Sequence, residues 1–509
     1  MTSAAADVIV VGAGGSGAPL AARLAARGAR VLLLEWGPVP APFESRDASS
    51  LAGAMPGDPL AVGYAGVLVS GRDHTVVRGR AAGGSTAING GYFRRARERD
   101  LDAWATIAGD ARWSAAATSP LWSRIEHDHE FGHAPGHGTE GPMPVTRAPS
   151  SHPLSAALLA AGEEAGLPLV DDQNASPELP PGIGSTPTNV LRGERWSTAR
   201  AFLDPVPPGV ELRGGHEAIA IVIDRRGRAT GVEVLAEGQR HVLEADLVVL
   251  CAGAIETPRL LVRSGIGSAE ALAATGVPVV LHAPVGAQLH DHPQVALRFT
   301  APASVLAHAV EAPLGVSAHG SSGLADELGA GGGVGDLEVL SVLRPLGRML
   351  GTEPDDHHLS LLVSPLQSTG RGELRFDDSG RPVLDFHYLS TEPDRARMRA
   401  AVRLATVLLE NDALRLLGAR SEHPHLAALD DAELDEWMLA RLSTALHTCG
   451  TTPMGTDPAT SVVDGRGAVH GVEGLYIADV GLLPSTPTSG PAATAVLIGE
   501  VIADALCET

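Results

Sequence analysis

The pattern of apolar and polar residues near the N-terminus predicts a strand, a turn, a helix and a second strand in close succession. Residues 7–11 (DVIVV) form a short β-branched run, which is typical of a buried strand. Glycines follow it, and apolar residues then recur at helical spacing as far as Gly28. Residues 30–34 (RVLLL) predict a second buried strand that ends at Glu35. This order is the unit on which a dinucleotide binds in open α/β sheets.

Further along the chain, the same patterns predict both hairpins and buried strands. Residues 210–243 alternate as a hairpin around a turn at residues 224–227. Residues 245–250 form an apolar run that leads into a helix near Glu256, and residues 297–390 alternate in short strand-like bursts. We therefore expect a large amount of strand in the second half of the chain.

Helical spacing and turn-forming residues divide the rest of the chain. Further helices are predicted at residues 101–110, 120–129, 153–165, 394–409, 431–445 and 492–506. Mostly irregular structure is predicted at residues 36–77, at residues 171–198, and in a flexible glycine-rich loop at residues 328–336.

Charge and hydropathy exclude some classes of function. The chain has 509 residues, with 60 acidic and 38 basic side chains and a formal charge of −22. A field of this sign repels phosphate backbones, so nucleic acid is not an expected partner. No apolar run approaches the roughly 20 residues of a membrane-spanning helix, and the N-terminus lacks the basic segment of a signal peptide.

The cysteines indicate the compartment. Cys251, Cys449 and Cys507 are too few and too scattered for a disulfide framework, which fits a reducing environment. No cysteine and histidine spacing typical of a metal site occurs in the sequence. We therefore expect a cytoplasmic protein without a bound metal.

The glycines after the first strand form a dinucleotide fingerprint. Gly12 allows a tight turn, Gly14 lets the backbone approach a pyrophosphate, and Gly17 lets the helix pack on the strand. The helix N-terminus offers unpaired N–H groups to phosphates, and Glu35 is placed to bind a ribose hydroxyl. A glycine turn that only packs strand on helix is the alternative, and the fingerprint does not separate FAD from NAD. The predicted nucleotide contacts are Gly12, Gly14, Gly15, Ser16, Gly17 and Glu35.

A second glycine-rich segment, residues 78–92, favours a flavin. Its five glycines, with Ser85, Thr86 and Asn89, offer backbone N–H donors, and no bulky side chain stands in its centre, so the segment can lie against a flat ring. A solvent-exposed loop is the alternative from composition alone. At this point the chain resembles a known family. GGSTAINGGYF is similar to the first signature of the glucose–methanol–choline (GMC) oxidoreductases, which are FAD-dependent enzymes that oxidise alcohols.

Later segments extend this resemblance over most of the chain. Residues 253–267 (GAIETPRLLVRSGIG) resemble the second GMC signature, and residues 284–293 resemble the element that follows it. Residues 447–455 (HTCGTTPMG) and 462–479 resemble C-terminal segments of the family. The resemblance implies FAD as the cofactor, with further contacts from Arg80, Gly83, Gly84, Ser85, Asn89, Gly90, Gly91, Ala218, Ala252, Gly253, Asp479, Val480, Gly490 and Pro491.

His447 matches the catalytic histidine of the family and is the predicted base. An alcohol carbon releases a hydride readily only as its hydroxyl loses the proton, and a neutral imidazole with a pKa near about 6.5 suits that task. The second polar residue of the family, Asn or His, falls at Gly490, so Thr488, Ser489 or the substrate domain would have to replace it. The position at which some members link FAD through a histidine is Ile88, which implies non-covalent FAD.

Within the family, the chain most resembles the mycofactocin-associated GMC oxidoreductases. The stretches that carry this likeness are residues 87–93, 137–145, 172–190, 447–455 and 489–499. The likeness implies oxidation of reduced mycofactocin, a peptide-derived carrier, and transfer of electrons to an unidentified respiratory acceptor. Through that acceptor the protein would be peripheral to the membrane.

Other functions stay open at this point. A small diffusible primary or secondary alcohol is the alternative substrate. A nicotinamide dehydrogenase would explain only the first fingerprint, and Gly490 leaves room for a flavin-bound protein without catalytic activity.

The resemblance also implies the architecture. We expect an α/β fold in which a doubly wound, Rossmann-like FAD-binding domain is interleaved with a substrate domain built on an antiparallel sheet. Residues 1–149, 205–295 and 441–509 would form the FAD-binding domain, and residues 150–204 and 296–440 the substrate domain.

Overall fold

The structure is a computed structural model that describes residues 6–41, 43–175, 181–324, 334–353 and 356–508. Most of the glycine-rich loop predicted at residues 328–336 lies outside the described residues. The α-helices are α1 (Gly17–Ala26), α2 (Glu98–Ala108), α3 (Ala115–Ile125), α4 (Pro153–Glu164), α5 (Thr198–Leu203), α6 (Gly253–Arg263), α7 (Ala269–Thr275), α8 (Ala303–Leu306), α9 (Leu346–Leu350), α10 (Glu392–Leu409), α11 (Asp412–Leu417), α12 (Asp431–Arg441) and α13 (Ala492–Cys507).

The strands are distributed over the whole chain. They are β1 (Ala6–Val11), β2 (Val31–Leu34), β3 (Ala61–Val69), β4 (Arg72–Gly79), β5 (Glu126–Asp128), β6 (Met143–Arg147), β7 (Gly182–Ser185), β8 (Pro187–Thr188), β9 (Val190–Leu191), β10 (Glu194–Arg195), β11 (Val210–Arg213), β12 (Glu217–Ile223), β13 (Ala229–Ala236), β14 (Gln239–Leu250), β15 (Ile266–Gly267), β16 (Leu281–His282), β17 (Pro293–Thr300), β18 (Leu314–Gly320), β19 (Leu337–Val342), β20 (His358–Pro365), β21 (Glu373–Phe376), β22 (Pro382–Asp385), β23 (Arg420–Ser421), β24 (Ser443–Thr444) and β25 (Leu475–Ile477).

The two apolar runs at the N-terminus form the centre of a parallel sheet. Its strands lie in the order β11-β2-β1-β14-β25, and each neighbouring pair is parallel. All of β2 and the last four residues of β1 are buried, which is typical of a parallel sheet covered on both faces. The predicted Rossmann-like α/β fold is confirmed.

Strand β14 belongs to two pairings in succession. Residues 239–244 pair antiparallel with β13, whose other neighbour is β12, whereas residues 245–250 pair parallel with β1. The hairpin predicted at residues 210–243 is therefore wrong at its start. Residues 210–213 pair with β2 instead, and the hairpin consists of β12 and β13.

The second large sheet is antiparallel throughout. Its strands lie in the order β23-β17-β20-β19-β18-β7, and β24 also pairs with β17. Helix α10 packs on β19 and β20, helix α4 packs on β7 and β18, and their apolar faces share one core with the sheet. The predicted antiparallel sheet of the substrate domain is confirmed, while the residue boundaries of the two domains stay a prediction.

A β-hairpin lies in the segment that the sequence predicted to be irregular. Strands β3 and β4 pair antiparallel, and β22 adds to β3 in parallel. Two glycines obscure the strand pattern. A Cβ on Gly66 would lie 3.1 Å from Cγ2 of Val76, and one on Gly63 would lie 2.9 Å from Cγ2 of Thr75. Glycine at these positions leaves room for side chains of the paired strand. The pairing of β3 with β22 joins segments that are distant in sequence, so no local sequence pattern predicts it.

Helix α3 begins earlier than its pattern predicted. The hydroxyl of Ser114 accepts a hydrogen bond from the backbone N–H of Ala117, so the helix starts at Ala115 and includes Pro120, which was predicted to be near its start. Across the described ranges, no helix combines the length and apolarity needed to cross a membrane.

A buried carboxylate joins three helices around the parallel sheet. Glu500 of α13 is fully buried and accepts hydrogen bonds from Nε of Arg23, on α1, at 2.8 and 2.9 Å. Nε of Arg124, on α3, lies 2.6 Å from the same carboxylate. Burial raises the pKa of Glu500, while Arg23 and Arg124 lower it. The charged form of this buried carboxylate is therefore stabilised by both arginines.

Replacing Glu500 with alanine should lower the free energy of unfolding by about 2–4 kcal/mol, because the guanidinium groups of Arg23 and Arg124 lose a buried partner. Both groups keep partial contact with water, and Arg124 keeps its ion pair with Asp504. Denaturant titration followed by circular dichroism measures the loss. Arg381→Ala is the control, since its ion pair with Asp377 is at the surface and contributes little to stability. Equal losses in the two variants would contradict a structural role for Glu500.

Candidate active site

A cleft of about 480 Å³ opens at the carboxyl edge of the parallel sheet. Its wall includes Val11 at the end of β1, Leu34 at the end of β2 and Cys251 directly after β14. Open α/β sheets bind nucleotides at this edge because the loops and helix N-termini that follow the strands converge there.

The cleft brings together most of the residues predicted to bind FAD. Three of the predicted contacts do not line the cleft, namely Gly17, Gly83 and Gly91. A Cβ on Gly17 would lie 1.9 Å from the carbonyl oxygen of Gly12, so Gly17 has the packing role expected of the third glycine. The predicted residues that line the cleft are Gly12, Gly14, Gly15, Ser16, Glu35, Arg80, Gly84, Ser85, Asn89, Gly90, Ala218, Ala252, Gly253, His447, Asp479, Val480, Gly490 and Pro491.

The two glycine-rich segments pack backbone against backbone. A Cβ on Gly84 would lie 3.0 Å from Cα of Gly14, and the backbone at Gly84 has a φ of +53° that favours glycine. Gly90 and Gly253 line the cleft as well, and a Cβ on either would point into open space. Side chains at these two positions would fill the cleft, so the glycines keep it open for a ligand.

Glu35 supports the first glycine turn with its side chain. Its carboxylate accepts hydrogen bonds from the backbone N–H of Ala13 at 3.1 Å and from that of Gly37 at 2.8 Å. Burial raises the pKa of Glu35 to about 7, despite these backbone donors. The carboxylate therefore fixes the turn. It also lies in the wall of the cleft, where it can accept a hydrogen bond from a ribose hydroxyl.

Asp479 performs a similar role at the start of helix α6. Its Oδ2 accepts from the backbone N–H of Gly253 at 2.9 Å and from the hydroxyl of Thr257 at 2.6 Å. Its Oδ1 accepts from the N–H of Gly481 at 2.8 Å. One buried carboxylate thus joins the turn after β14 to the turn after β25, and both turns line the cleft.

The arrangement fits FAD. Helices α1, α6 and α13 all begin at the cleft, as shown by Ser16, Gly253 and Ala492 in its wall. Helix N-termini carry partial positive charge and free N–H groups, which suit a pyrophosphate and any negative charge on a flavin ring. The glycines at Gly90 and Gly253 leave the flat space that a ring system needs.

The antiparallel sheet positions His447 from the other side of the cleft. His292 directly precedes β17, Leu366 directly follows β20, and His447 follows β24, which pairs with β17. Because these strands are antiparallel, all three residues lie at the same end of the sheet. The carboxylate of Asp291 accepts from the backbone N–H of His292 at 2.7 Å and from that of His447 at 2.9 Å.

Hydrogen bonds define the tautomer of both imidazoles. Nε2 of His292 lies 3.2 Å from the carbonyl oxygen of Leu366, which can only accept, so that nitrogen carries a proton. Nδ1 of neutral His292 must then accept from Nδ1 of His447, at 2.8 Å. Neutral His447 is left with an unprotonated Nε2, and a Cβ on Gly490, which lines the cleft, would lie 3.2 Å from this atom.

Burial favours the neutral form of the two rings. Burial, and next the neighbouring His292, lower the pKa of His447 from its ordinary value to about 3. Burial also lowers the pKa of His292. His447 is therefore uncharged across the range in which an ordinary imidazole titrates, and its Nε2 can act as a base.

Tyr92 occupies the space that a side chain at Gly490 would need. A Cβ on Gly490 would lie 2.9 Å from Cδ1 of Tyr92. The hydroxyl of Tyr92 donates to Oε1 of buried Glu338 at 2.6 Å, which holds the ring in place. Thr488 and Ser489, considered from the sequence as replacements for the missing polar residue, are buried outside the cleft wall, and Thr488 donates to Asp100.

The sequence did not predict several residues of the site. His292 and Tyr92 lie in segments that resembled the family, but only the structure shows that they approach His447 and Gly490. Arg78 stands two residues before Arg80, and its buried guanidinium lines the cleft. The other cleft residues that were not predicted include Trp36, Tyr64, His216, Ile255, Glu256, Leu446 and Ala495.

A buried group of metal-ligand type lies outside the cleft. Glu126, Asp128 and His137 place one ligand atom each within 4.8 Å of one another. Arg95 and Arg147 form ion pairs with these carboxylates. Burial opposes a charged His137, but hydrogen bonds to Asp128, Asp172 and Glu126 raise its pKa to about 10. The negative charges of these carboxylates are therefore compensated by Arg95, Arg147 and a protonated His137.

Comparison with known proteins identifies the family. Family models of the GMC oxidoreductases match residues 6–294 and residues 367–499. The chain is 35% identical over 520 residues to an uncharacterised GMC-type oxidoreductase of Rhodococcus erythropolis, with 97% of both chains covered. It is 33% identical over 531 residues to the oxygen-dependent choline dehydrogenase of Escherichia coli (strain K12), covering 98% of this chain and 95% of that protein.

Solved structures agree with this assignment. The fold matches pyridoxine 4-oxidase from Mesorbium loti with a TM-score of 0.87 and 27% identity over 99% of both chains. It matches formate oxidase of Aspergillus oryzae with a TM-score of 0.89 over 100% of this chain and 99% of that one, where 21% identity shows the shared fold alone. The chain belongs to the GMC oxidoreductases, a family of FAD-dependent enzymes that act on alcohols.

Proposed function

We propose that the protein oxidises an alcohol with His447 as the catalytic base. The observation that carries this proposal is the unprotonated Nε2 of His447, which faces the cleft beside Gly490. A substrate hydroxyl in the cleft can donate a hydrogen bond to this nitrogen and transfer its proton there as the carbon is oxidised.

His292 acts on His447 as a positioning residue. Its hydrogen bond to Nδ1 of His447 holds the ring orientation and spreads the positive charge that forms when Nε2 takes a proton. The carbonyl of Leu366 stabilises the same charge through Nε2–H of His292. FAD, when bound in the cleft, supplies the ring that accepts a hydride from the substrate carbon.

The substrate oxygen has fewer side-chain partners here than the family pattern would give. Gly490 offers no side chain, and the hydroxyl of Tyr92 is engaged with Glu338. Leu51, Leu350 and Leu446 form an apolar part of the cleft wall. We infer that the substrate is held mainly by contact of its apolar body, with His447 as the main polar anchor.

Reduced mycofactocin is the substrate that we propose from the sequence, with a respiratory acceptor for the electrons. The support is the likeness of stretches such as residues 137–145 and 489–499 to mycofactocin-associated members. A small diffusible alcohol is the second candidate. The cleft of about 480 Å³ must hold FAD as well as substrate, which favours a small molecule, and the names of two relatives point to choline and pyridoxine.

Two further expectations accompany this proposal. Ile88 lines the cleft at the position of the flavin-linking histidine, which supports non-covalent FAD. A cytoplasmic location, peripheral to the membrane through the electron acceptor, rests on the cysteine usage and on the proposed acceptor.

His447→Ala should slow substrate-dependent reduction of bound FAD by about 10²–10⁴-fold, because the hydroxyl proton loses its acceptor. Anaerobic mixing with reduced mycofactocin and, separately, with simple alcohols measures the loss of flavin colour. His241→Ala, an exposed histidine on β14, is the control and should react at the wild-type rate. Wild-type speed in His447→Ala would remove the proposed base, and no reduction of the wild type by any alcohol would favour a protein without catalytic activity. Air admitted afterwards tests oxygen as an acceptor.

Precipitation of the purified protein with acid should release all of its FAD into the supernatant, because no histidine stands at position 88. Absorbance of pellet and supernatant measures the distribution. Yellow colour that stays with the washed pellet would contradict non-covalent binding and direct attention to His216, which also lines the cleft.

A further inference from the structure

A second cavity, of about 230 Å³, lies apart from the cleft and is lined by arginines. Arg94, Arg95 and Arg97 line it, and no residue of the described chain lines both cavities. The rest of its lining is mostly apolar or made of amides, with one acidic residue, Glu98, and includes Leu101, Trp122, Pro135, Gln173 and Asn174. We call this space the arginine cavity.

Arg97 is buried without a carboxylate partner among the described residues. It is 8% exposed, and its Nη1 donates to the backbone carbonyl of Val334 at 3.2 Å. Its Nε and Nη2 have no hydrogen-bond partner in the part of the chain that the structure describes. The carboxylate of Asp100 instead accepts from the backbone N–H of Arg97 and from Thr488. A buried guanidinium with free donors is costly unless an anion compensates it.

The neighbouring charges increase this cost. Burial, followed by the like charges of Arg94 and Arg99, lowers the pKa of Arg97 to about 9. Arg94 is 3% exposed, its Nη1 lies 2.6 Å from Nε2 of His319, and its Nε also lacks a partner within the described ranges. In a chain with a formal charge of −22, such a group of neighbouring arginines is a local feature.

Arg95 differs from the other two arginines. Its Nη2 is bonded to Glu126 and to the carbonyl of Gly136, and its guanidinium lies 5.2 Å over the ring of Trp122. Arg95 is therefore engaged by the protein itself, and the free donors of the cavity belong to Arg94 and Arg97.

We propose that the arginine cavity binds a small organic anion whose carboxylate or phosphate group lies against Arg97 and Arg94. A guanidinium presents several N–H donors in one plane and matches the oxygens of such a group. The volume lies below the roughly 300–1,000 Å³ of pockets for drug-sized ligands, so the ligand is small. Leu101 and Trp122 contact its apolar part.

The position of the arginine cavity separates it from the proposed reaction. Arg94 reaches His319, whose Nε2 lies 3.1 Å from Oε1 of Glu338, and Glu338 accepts from Tyr92 in the cleft wall. The two cavities thus share a wall of buried polar residues but no lining. Anion binding is measured independently of alcohol oxidation.

Calorimetric titration of the FAD-bound protein at constant ionic strength tests the proposal. Benzoate carries the organic carboxylate, inorganic phosphate the phosphate group, and benzamide is the uncharged match of benzoate. We expect saturable binding of at least one anion and none of benzamide. Arg97→Gln should weaken the binding about tenfold or more, since charge-assisted hydrogen bonds are lost. Arg381→Gln, on an exposed arginine, is the control and should bind as the wild type does.

Thermal unfolding provides the second measurement. The bound anion should raise the midpoint of the wild type, and at the same anion concentration it should raise that of Arg97→Gln by clearly less. Without anion, Arg97→Gln should be at least as stable as the wild type because an unpaired buried charge is gone, and Arg97→Lys should keep part of the affinity. The proposal is overturned if neither anion binds, if Arg97→Gln binds as tightly as the wild type, or if that variant is much less stable without anion.

Discussion

The carbonyl oxygen of Leu366 can only accept a hydrogen bond, and this constraint determines what the two histidines behind the cleft can do. It requires a proton on Nε2 of His292, which makes the other nitrogen of that ring an acceptor for His447. The free lone pair is thereby placed on the nitrogen that faces the cleft. One backbone carbonyl and two neutral rings thus support the proposed base for the alcohol proton.

The two sheets divide the work of the site. The parallel sheet ends in the glycine turns and helix N-termini that can hold the nucleotide, and two buried carboxylates, Glu35 and Asp479, fix those turns. The antiparallel sheet ends in Leu366, His292 and His447, because β17, β20 and β24 pair with one another at that end. Residues distant in sequence therefore meet across one cleft, with the predicted cofactor contacts on one side and His447 on the other.

Much of this organisation could be predicted from the sequence. Strands β1 and β2 and helix α1 follow from local apolar spacing, and the glycines of residues 12–17 carry a spacing that is typical of a nucleotide turn. His447 was found through a motif rather than through its chemistry. Family resemblance therefore pointed to His447 as the proposed base, and the structure adds the hydrogen bonds that give it the tautomer this role needs.

The remaining features depend on long-range contacts. The hairpin of β3 and β4 was missed because Gly63 and Gly66 interrupt its apolar pattern. Tyr92 fills the space beside Gly490, yet nothing in its neighbourhood along the chain indicates this. The unpaired state of Arg97 is likewise invisible in sequence, where Asp100 three residues later suggests a partner that the fold directs to Thr488 instead.

The most direct test of the central claim is the position of the protons on His447 in the FAD-bound enzyme. Nitrogen-15 chemical shifts of the histidine rings at neutral pH, assigned by comparison with His447→Gln, distinguish the two tautomers from the charged ring. We expect a protonated Nδ1 and an unprotonated Nε2 on a neutral ring. A proton on Nε2, or a charged imidazole at neutral pH, would contradict the role of this residue as the base.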